Sequence, residues 1–315
     1  YQVDQSEREK IMKGKEMQTG IIGIGDMGSG LAKNLIQNGF EVSGHDLKPT
    51  RMDAFEAMGG KRASNAAEVG TSCDAVFVMV MTGDEAKSII LGKDGLVSRM
   101  KPGSAVLLTA TIKPHEAQEI AAAMEGSGIN LIDSPVSGGY PGAQSGTLTL
   151  MAAAPDTILD QFAPVMEAVS GTIHRIGESA GMGQTVKACL QTLIGSIFSA
   201  TFEASVLAAK AGVKGEDLLK VFSTSSAGSG CTNTALENII DRKFVNTGSG
   251  IGTMHKDLTI SLDLAEKLQV PMYMASTAMQ IFHSGKSKYP DEDNWACTKI
   301  MEDIAGAQLF RAGPK

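Results

Sequence analysis

Cysteine is scarce in this chain: four in 315 residues, Cys73, Cys189, Cys231 and Cys297, widely spaced and without a CxxC pair. That excludes a small disulfide-stapled scaffold and predicts reduced, packed thiols in a cytoplasmic protein. Histidine is equally thin, with five scattered residues and no zinc-ligand spacing, so no metal site is expected. Excess positive charge is missing too. Lys and Arg number 28 against 35 Asp and Glu, a net charge of −7 that argues against a nucleic-acid surface. Only the stretch from Arg8 to Lys15 is locally basic, and it is short and mixed. No unbroken apolar run reaches the ~18 residues of a membrane span. The opening YQVDQSEREKIMKGKEM lacks the apolar centre of a signal peptide. Residues 1–16 are read as a disordered extension or a cloning remnant, outside the fold.

What remains is the composition of a globular chain, 43% hydrophobic and 20% charged. Its length suits one large domain or two ordinary ones. The first half alternates short apolar runs with helical patterns. Strands are predicted over Thr19–Ile24, Glu41–His45, Ala75–Met81, Ala105–Leu108 and Asn130–Ile132. Helices are predicted over Gly28–Asn38 and near 84–91 and 114–126. AVFVMVM at 75–81 is continuously apolar, as a parallel strand buried on both faces requires. The alternation predicts a doubly wound parallel sheet.

From Gly181 onward helical periodicity dominates. One helix is predicted from about Gln184 to Ala211, capped by Gly212; at 1.5 Å per residue it is roughly 40 Å long. Others are expected near 215–223, 232–241, 252–268, 271–284 and 292–310. The organisation expected is an α/β domain over 17–180, then an all-α domain over 181–315, joined by the long helix.

Gly23-Ile24-Gly25-Asp26-Met27-Gly28 is a GxGxxG that follows an apolar strand and opens a helix. In that context the first glycine permits a tight turn and the second lets the backbone approach a pyrophosphate. The third brings helix against strand, giving the Rossmann-type dinucleotide fingerprint. Asp46, at the end of the second strand, stands where an acidic residue accepts adenosine ribose hydroxyls, which favours NAD over NADP. Leu47 cannot hold a 2′-phosphate, although Lys48 and Arg51 supply cations that could.

Residues 133–151, DSPVSGGYPGAQSGTLTLM, read as a strand end followed by a glycine-rich loop. Its amides and the Ser137 hydroxyl could bind an anion. This stretch closely resembles the substrate-binding motif of the β-hydroxyacid dehydrogenase family, which includes 3-hydroxyisobutyrate dehydrogenase and tartronate semialdehyde reductase. GIIGIGDMGSGLAKNLIQNG is similar to the family's cofactor loop and GMGQTVK to its catalytic-lysine motif. HKDLTISLDLAEKLQVP, 255–271, is similar to its C-terminal motif.

The resemblance implies that Ser137, Gly138 and Gly139 hold the substrate carboxylate and that Lys187 is the general acid/base. It implies that Lys256 sits beside cofactor and substrate, with Asp257 in support. Thr111, in TATIKP, matches the second residue of a Ser-Thr pair near the nicotinamide, while Ala110 stands where the family has serine.

Lys187 opens a segment with no further charge until Glu203, and a buried ammonium needs a partner or a task. Gln191 lies one turn on and shares its helix face. The family usually has asparagine there. Glutamine, with VPMYMASTAMQIF at 270–282, resembles the subgroup typified by L-threonate dehydrogenase, which oxidises four-carbon sugar acids.

The expected activity is hydride exchange between NAD and a small hydroxy acid, with Lys187 brought towards a neutral pKa by burial beside Lys256. Alternatives within the family are 3-hydroxyisobutyrate or 3-hydroxy amino acid oxidation and semialdehyde reduction. An imine reductase or a non-catalytic binding protein shares the fold, and the retained Lys187 counts against both. The long apolar helix predicts a homodimer or homotetramer.

Overall fold

A computed structural model describes residues 17–311, so the extension expected at 1–16 lies outside the described residues. The chain divides into two compact units, one ending at Lys187 and one beginning at Ala188.

The first unit opens with β1 (Thr19–Ile22), α1 (Asp26–Gln37), β2 (Val42–His45), α2 (Pro49–Ala57), β3 (Lys61–Arg62) and α3 (Ala66–Ser72). It continues with β4 (Ala75–Val78), α4 (Gly83–Leu91), β5 (Ala105–Leu108), α5 (Pro114–Met124) and β6 (Asn130–Asp133). The order β3-β2-β1-β4-β5-β6 is parallel throughout, the doubly wound arrangement. Successive residues of one strand feed two cores. Ala75 and Phe77 of β4 join the cluster that includes Leu31, Leu35 and Phe55. Val76 and Val78 join the opposite cluster with Ile90, Leu96 and Ile120. Burial on both faces is why the run carries no polar alternation.

The remainder of this unit departs from the sequence reading. After β7 (Val136–Ser137), residues Gly139–Ser145 form a short helix, α6, where an open glycine loop was expected. β8 (Leu148–Ala153), α7 (Asp156–Glu167) and β9 (Ser170–Gly177) follow. β8 runs antiparallel to β6 and β7 and parallel to β9, so the sheet is mostly rather than wholly parallel. Strands β1 and β4 also stop at Ile22 and Val78, short of the predicted Ile24 and Met81, because the chain leaves the ladder into the loops that carry the site.

α8 (Met182–Lys210) begins in the first unit and continues as the opening helix of the second. α9 (Gly215–Thr224), α10 (Gly230–Ile240), α11 (Ile251–Leu268), α12 (Tyr273–Lys288) and α13 (Cys297–Ala305) complete the second unit. Phe198, Phe202, Phe282 and Trp295 share its core, with the Phe198 and Trp295 rings edge to face at 5.0 Å. The last helix is shorter than the 292–310 expected. A 3₁₀ turn occupies 294–296, and Gly306 ends α13 in the left-handed conformation. By length and composition α8 is apolar enough to cross a membrane, although its sequence contains no unbroken apolar run of that length.

Candidate active site

The turn after β1 is set by backbone crowding. Gly23 has φ +87°, and a Cβ there would lie 2.1 Å from the Met79 carbonyl oxygen. At Gly28, inside the first turns of α1, a Cβ would lie 1.9 Å from the Gly23 carbonyl oxygen. The third glycine therefore brings helix onto loop, as the spacing implied. Gly25 differs: a Cβ would meet nothing closer than Arg51 at 3.5 Å, so the protein itself does not require glycine there. Its small size leaves room above the loop. As N-cap it makes no side-chain cap to the first turn of α1, and a helix N-terminus of this kind suits an anion. Asp26 is exposed on that turn and Met27 is half-buried against the core. A cavity of about 210 Å³ lies beside the loop, lined by Gly25, Asp26, Ser29, Thr50 and Arg51 among others.

Asp46 is tied into the same loop. Its carboxylate accepts from the Ile24 amide at 2.7 Å and the Lys48 amide at 2.8 Å, and it pairs with Arg51 at 3.2 Å. Burial alone would raise its pKa, but the two amides and the guanidinium outweigh it and hold the carboxyl below its usual range. An ionised acceptor thus sits at the end of β2, and Arg51, the cation that could have served a 2′-phosphate, is committed to it. Leu47 points outward. A glycine cradle beside an ionised acidic residue fits a dinucleotide with free ribose hydroxyls.

Ser137 ends β7, paired with Thr149 of β8, and is half-buried, while Gly138 and Gly139 are exposed where α6 begins. Asn34 fixes this helix, a role that no local pattern in the sequence signals. Its Nδ2 donates to Gly30 O at 2.7 Å and to Ala143 O at 2.8 Å, joining α1 to α6. Gly30 permits the approach, since a Cβ there would meet the Ala143 backbone at 2.5 Å.

The start of α8 is the most constrained part of the site. A Cβ at Gly183 would lie 2.4 Å from Met151 O and 2.9 Å from Asp133 O, so the helix rests directly on β8 and on the end of β6. Asp133 is fully buried. Its Oδ2 accepts from the Gly181 amide at 2.7 Å and the Gln184 amide at 3.3 Å, and its Oδ1 accepts from Gln184 Nε2 at 2.9 Å. Gln184 also donates to Ala110 O and accepts from the Ile112 amide, both at 3.0 Å. Half-buried Thr111 is held between those two anchored neighbours. Lys187, one turn further, is 7% exposed. Neither Asp133 nor Gln184 was singled out from sequence.

Burial pushes the Asp133 carboxyl up to about 6, against the lowering effect of the Gln184 and glycine-backbone hydrogen bonds. Between its unfolded value of 3.8 and about 6 the folded state binds the extra proton. Stability from this group is therefore present below pH 3.8 and lost as pH rises through about 6. The expected size is about 3 kcal/mol. Denaturant melts of the wild type and Asp133→Asn from pH 4 to 7 check this. The wild type should lose stability relative to the variant as pH rises, and a constant difference would contradict it.

In the second unit three of the expected residues come together. Gln191 Nε2 donates to Asp257 Oδ2 at 2.5 Å, and Lys256 Nζ lies 3.0 Å from Asp257 Oδ1. Asp257 and Gln191 are buried. An ionised carboxylate only accepts, so it fixes the Gln191 amide with its NH₂ towards Asp257. Ser261 Oγ donates to Asp257 O and to Ala188 O, fastening α11 to α8.

Two family profiles match the chain: the NAD binding domain of 6-phosphogluconate dehydrogenase over residues 18–177, and the NAD-binding domain of NADP-dependent 3-hydroxyisobutyrate dehydrogenase over 181–301. An L-threonate dehydrogenase of Escherichia coli is 35% identical over 293 residues, 92% of this chain and 97% of that protein. An NAD-dependent L-serine dehydrogenase of Pseudomonas aeruginosa is 29% identical, covering 92% and 99%. The crystal structure of a 3-hydroxyisobutyrate dehydrogenase from Salmonella typhimurium superposes with a TM-score of 0.83 at 33% identity, covering 90% and 99%.

Proposed function

The chain belongs to the β-hydroxyacid dehydrogenase family, oxidoreductases that act on CH–OH groups with NAD, and from that premise we propose that it oxidises a four-carbon sugar acid such as L-threonate. The observation that carries this reading is a pair on one helix: buried Lys187 and, one turn on, Gln191 with its amide fixed by Asp257. The 35% identity to an L-threonate dehydrogenase supports it.

In the proposed reaction the hydroxyl of Ser137 and the amides of Gly138 and Gly139 hold the substrate carboxylate. Lys187 Nζ, in its neutral form, takes the hydroxyl proton in oxidation and returns it in reduction. Gln191 hydrogen-bonds a further substrate hydroxyl. Asp257 orients Gln191 and Lys256, and the Lys256 ammonium places positive charge beside the bound anion. The Gly23–Gly28 loop and Asp46 hold the dinucleotide, with Thr111 near its nicotinamide. NAD, when bound, supplies the hydride acceptor.

The test is a panel of L-threonate, D-threonate, 3-hydroxyisobutyrate, glycerate and 3-hydroxy amino acids, each with NAD and NADP. L-Threonate with NAD should give the highest kcat/KM, by about tenfold or more. A higher value for 3-hydroxyisobutyrate or serine would move the reacting position to the 3-hydroxyl and overturn the substrate assignment. Preference for NADP would overturn the role given to Asp46.

The protein is also proposed to work as a homo-oligomer in the cytoplasm. Only 44% of the most apolar window of α8 is buried, and Leu193 and Leu207 are 59% and 73% exposed. A second copy would cover that stripe. Light scattering on a sizing column should give at least twice 32.9 kDa. A monomer alone, or partition into vesicles, would overturn it.

A further inference from the structure

The knot of hydrogen bonds at the start of α8 has more connections than a helix cap needs. Asp133 terminates β6, Gln184 lies in the first turn of α8, and Ala110 and Ile112 flank Thr111 after β5. One side-chain pair therefore ties together the ends of two strands and the helix that carries Lys187. Gly181 and Gly183 allow the backbone to lie close enough for the knot to form.

We infer that Asp133 and Gln184 are positioning residues that set the height and rotation of Lys187, and with it the placement of Thr111. The inference rests on the reading of Lys187 as the proton-handling group.

The polarity of the knot is fixed and cannot be inverted. Gln184 must turn Nε2 towards Asp133 Oδ1 and Ala110 O, both acceptors, and Oε1 towards the Ile112 amide, a donor. In Asp133→Asn the new amide either faces Nε2 with a second donor or turns Nδ2 onto the Gly181 amide. Flipping Gln184 in response sets its NH₂ against the Ile112 N–H. In Gln184→Glu a second carboxylate oxygen meets Asp133 and Ala110 O. Each single variant leaves like polar groups opposed in a fully buried site, which α8 relieves by shifting. The double variant Asp133→Asn/Gln184→Glu restores a donor-to-acceptor contact between the two side chains.

The experiment compares the wild type, both single variants, the double variant and Lys187→Met. It measures kcat and KM on the best hydroxy acid, KM for NAD, the melting midpoint, and the acetic anhydride labelling rate of Lys187 by mass spectrometry. The single variants should lose about 10- to 100-fold in kcat, the range for ångström-scale misplacement of a reacting group. KM for NAD should stay within about threefold, the Lys187 labelling rate should change, and the double variant should recover part of both losses. Single variants with kcat and labelling unchanged, while Lys187→Met is inactive, would overturn the positioning role alone. Turnover surviving in Lys187→Met would instead overturn the reading of Lys187, and labelling would still report whether the knot places its amine. Losses of kcat that follow the melting midpoint and NAD binding, with no recovery in the double variant, would mark the knot as merely structural and overturn the inference.

Discussion

Lys187→Met should lower kcat on the best hydroxy acid by about 10²- to 10⁴-fold, the range contributed by a positioned general acid/base. Methionine keeps the length and packing of the lysine stem, so the buried start of α8 retains its volume. The variant should fold, melt within a few degrees of the wild type and bind NAD with similar affinity, because the residues proposed to hold the dinucleotide belong to the β1–α1 loop and the end of β2. The loss should appear in kcat and kcat/KM together, as expected when an interaction is made mainly in the transition state. The limb of the pH profile that reports deprotonation of the base should disappear. Turnover within tenfold of the wild type would refute the assignment.

Gly28→Ala should be among the most damaging single methyl additions in the dinucleotide unit. Alanine is the better helix former by about 1 kcal/mol, so an ordinary helical glycine would be stabilised by the change. Here the added Cβ would fall 1.9 Å from a backbone oxygen of the cofactor loop, an atom that cannot swing away as a side chain can. The expected cost is about 3–5 kcal/mol, with NAD affinity falling by about 100-fold as the loop is displaced. Gly25→Ala is the contrast. Its Cβ meets nothing closer than Arg51 at 3.5 Å, so the fold should be spared while NAD affinity falls by about tenfold. Denaturant melts with NAD titration of both variants separate the two roles. A Gly28→Ala protein as stable as the wild type would contradict the packing account.

The elements that were legible in the sequence are those whose pattern is local. β4 and β5 are short, wholly apolar and bounded by loops, β1 is interrupted only by Thr19, and the helices of the second unit before α13 follow their periodicity to within a few residues. α6 was illegible for a physical reason. Gly139-Tyr140-Pro141-Gly142-Ala143 has the composition of a loop, and packing against α1 through Asn34 overrides that preference. α2 buries only Met52 and Phe55 and has almost no apolar stripe, and α3 spans only seven residues, so neither gives a helical period to read. β8, α7 and β9 close the first unit with an antiparallel turn of the sheet that the parallel alternation before them does not foreshadow.

The site divides in the same way. Glycine spacing, the acidic residue after β2 and a lone lysine opening an apolar helix are local features, and each can be read in a few adjacent letters. Most of the partners that complete the site are remote: Asp133 and Gln184 are 51 residues apart, Gln191 and Asp257 are 66, and Asn34 and Ala143 are 109. By itself the sequence determined a dinucleotide unit followed by helices, the glycine-rich turn between β1 and α1 and the position of the lysine. Only the tertiary structure decided that Arg51 is committed to Asp46, which way the Gln191 amide faces, and how α8 is anchored. A hydrogen bond depends on atoms meeting within about 3 Å, and no local pattern records which distant residues the fold will bring that close.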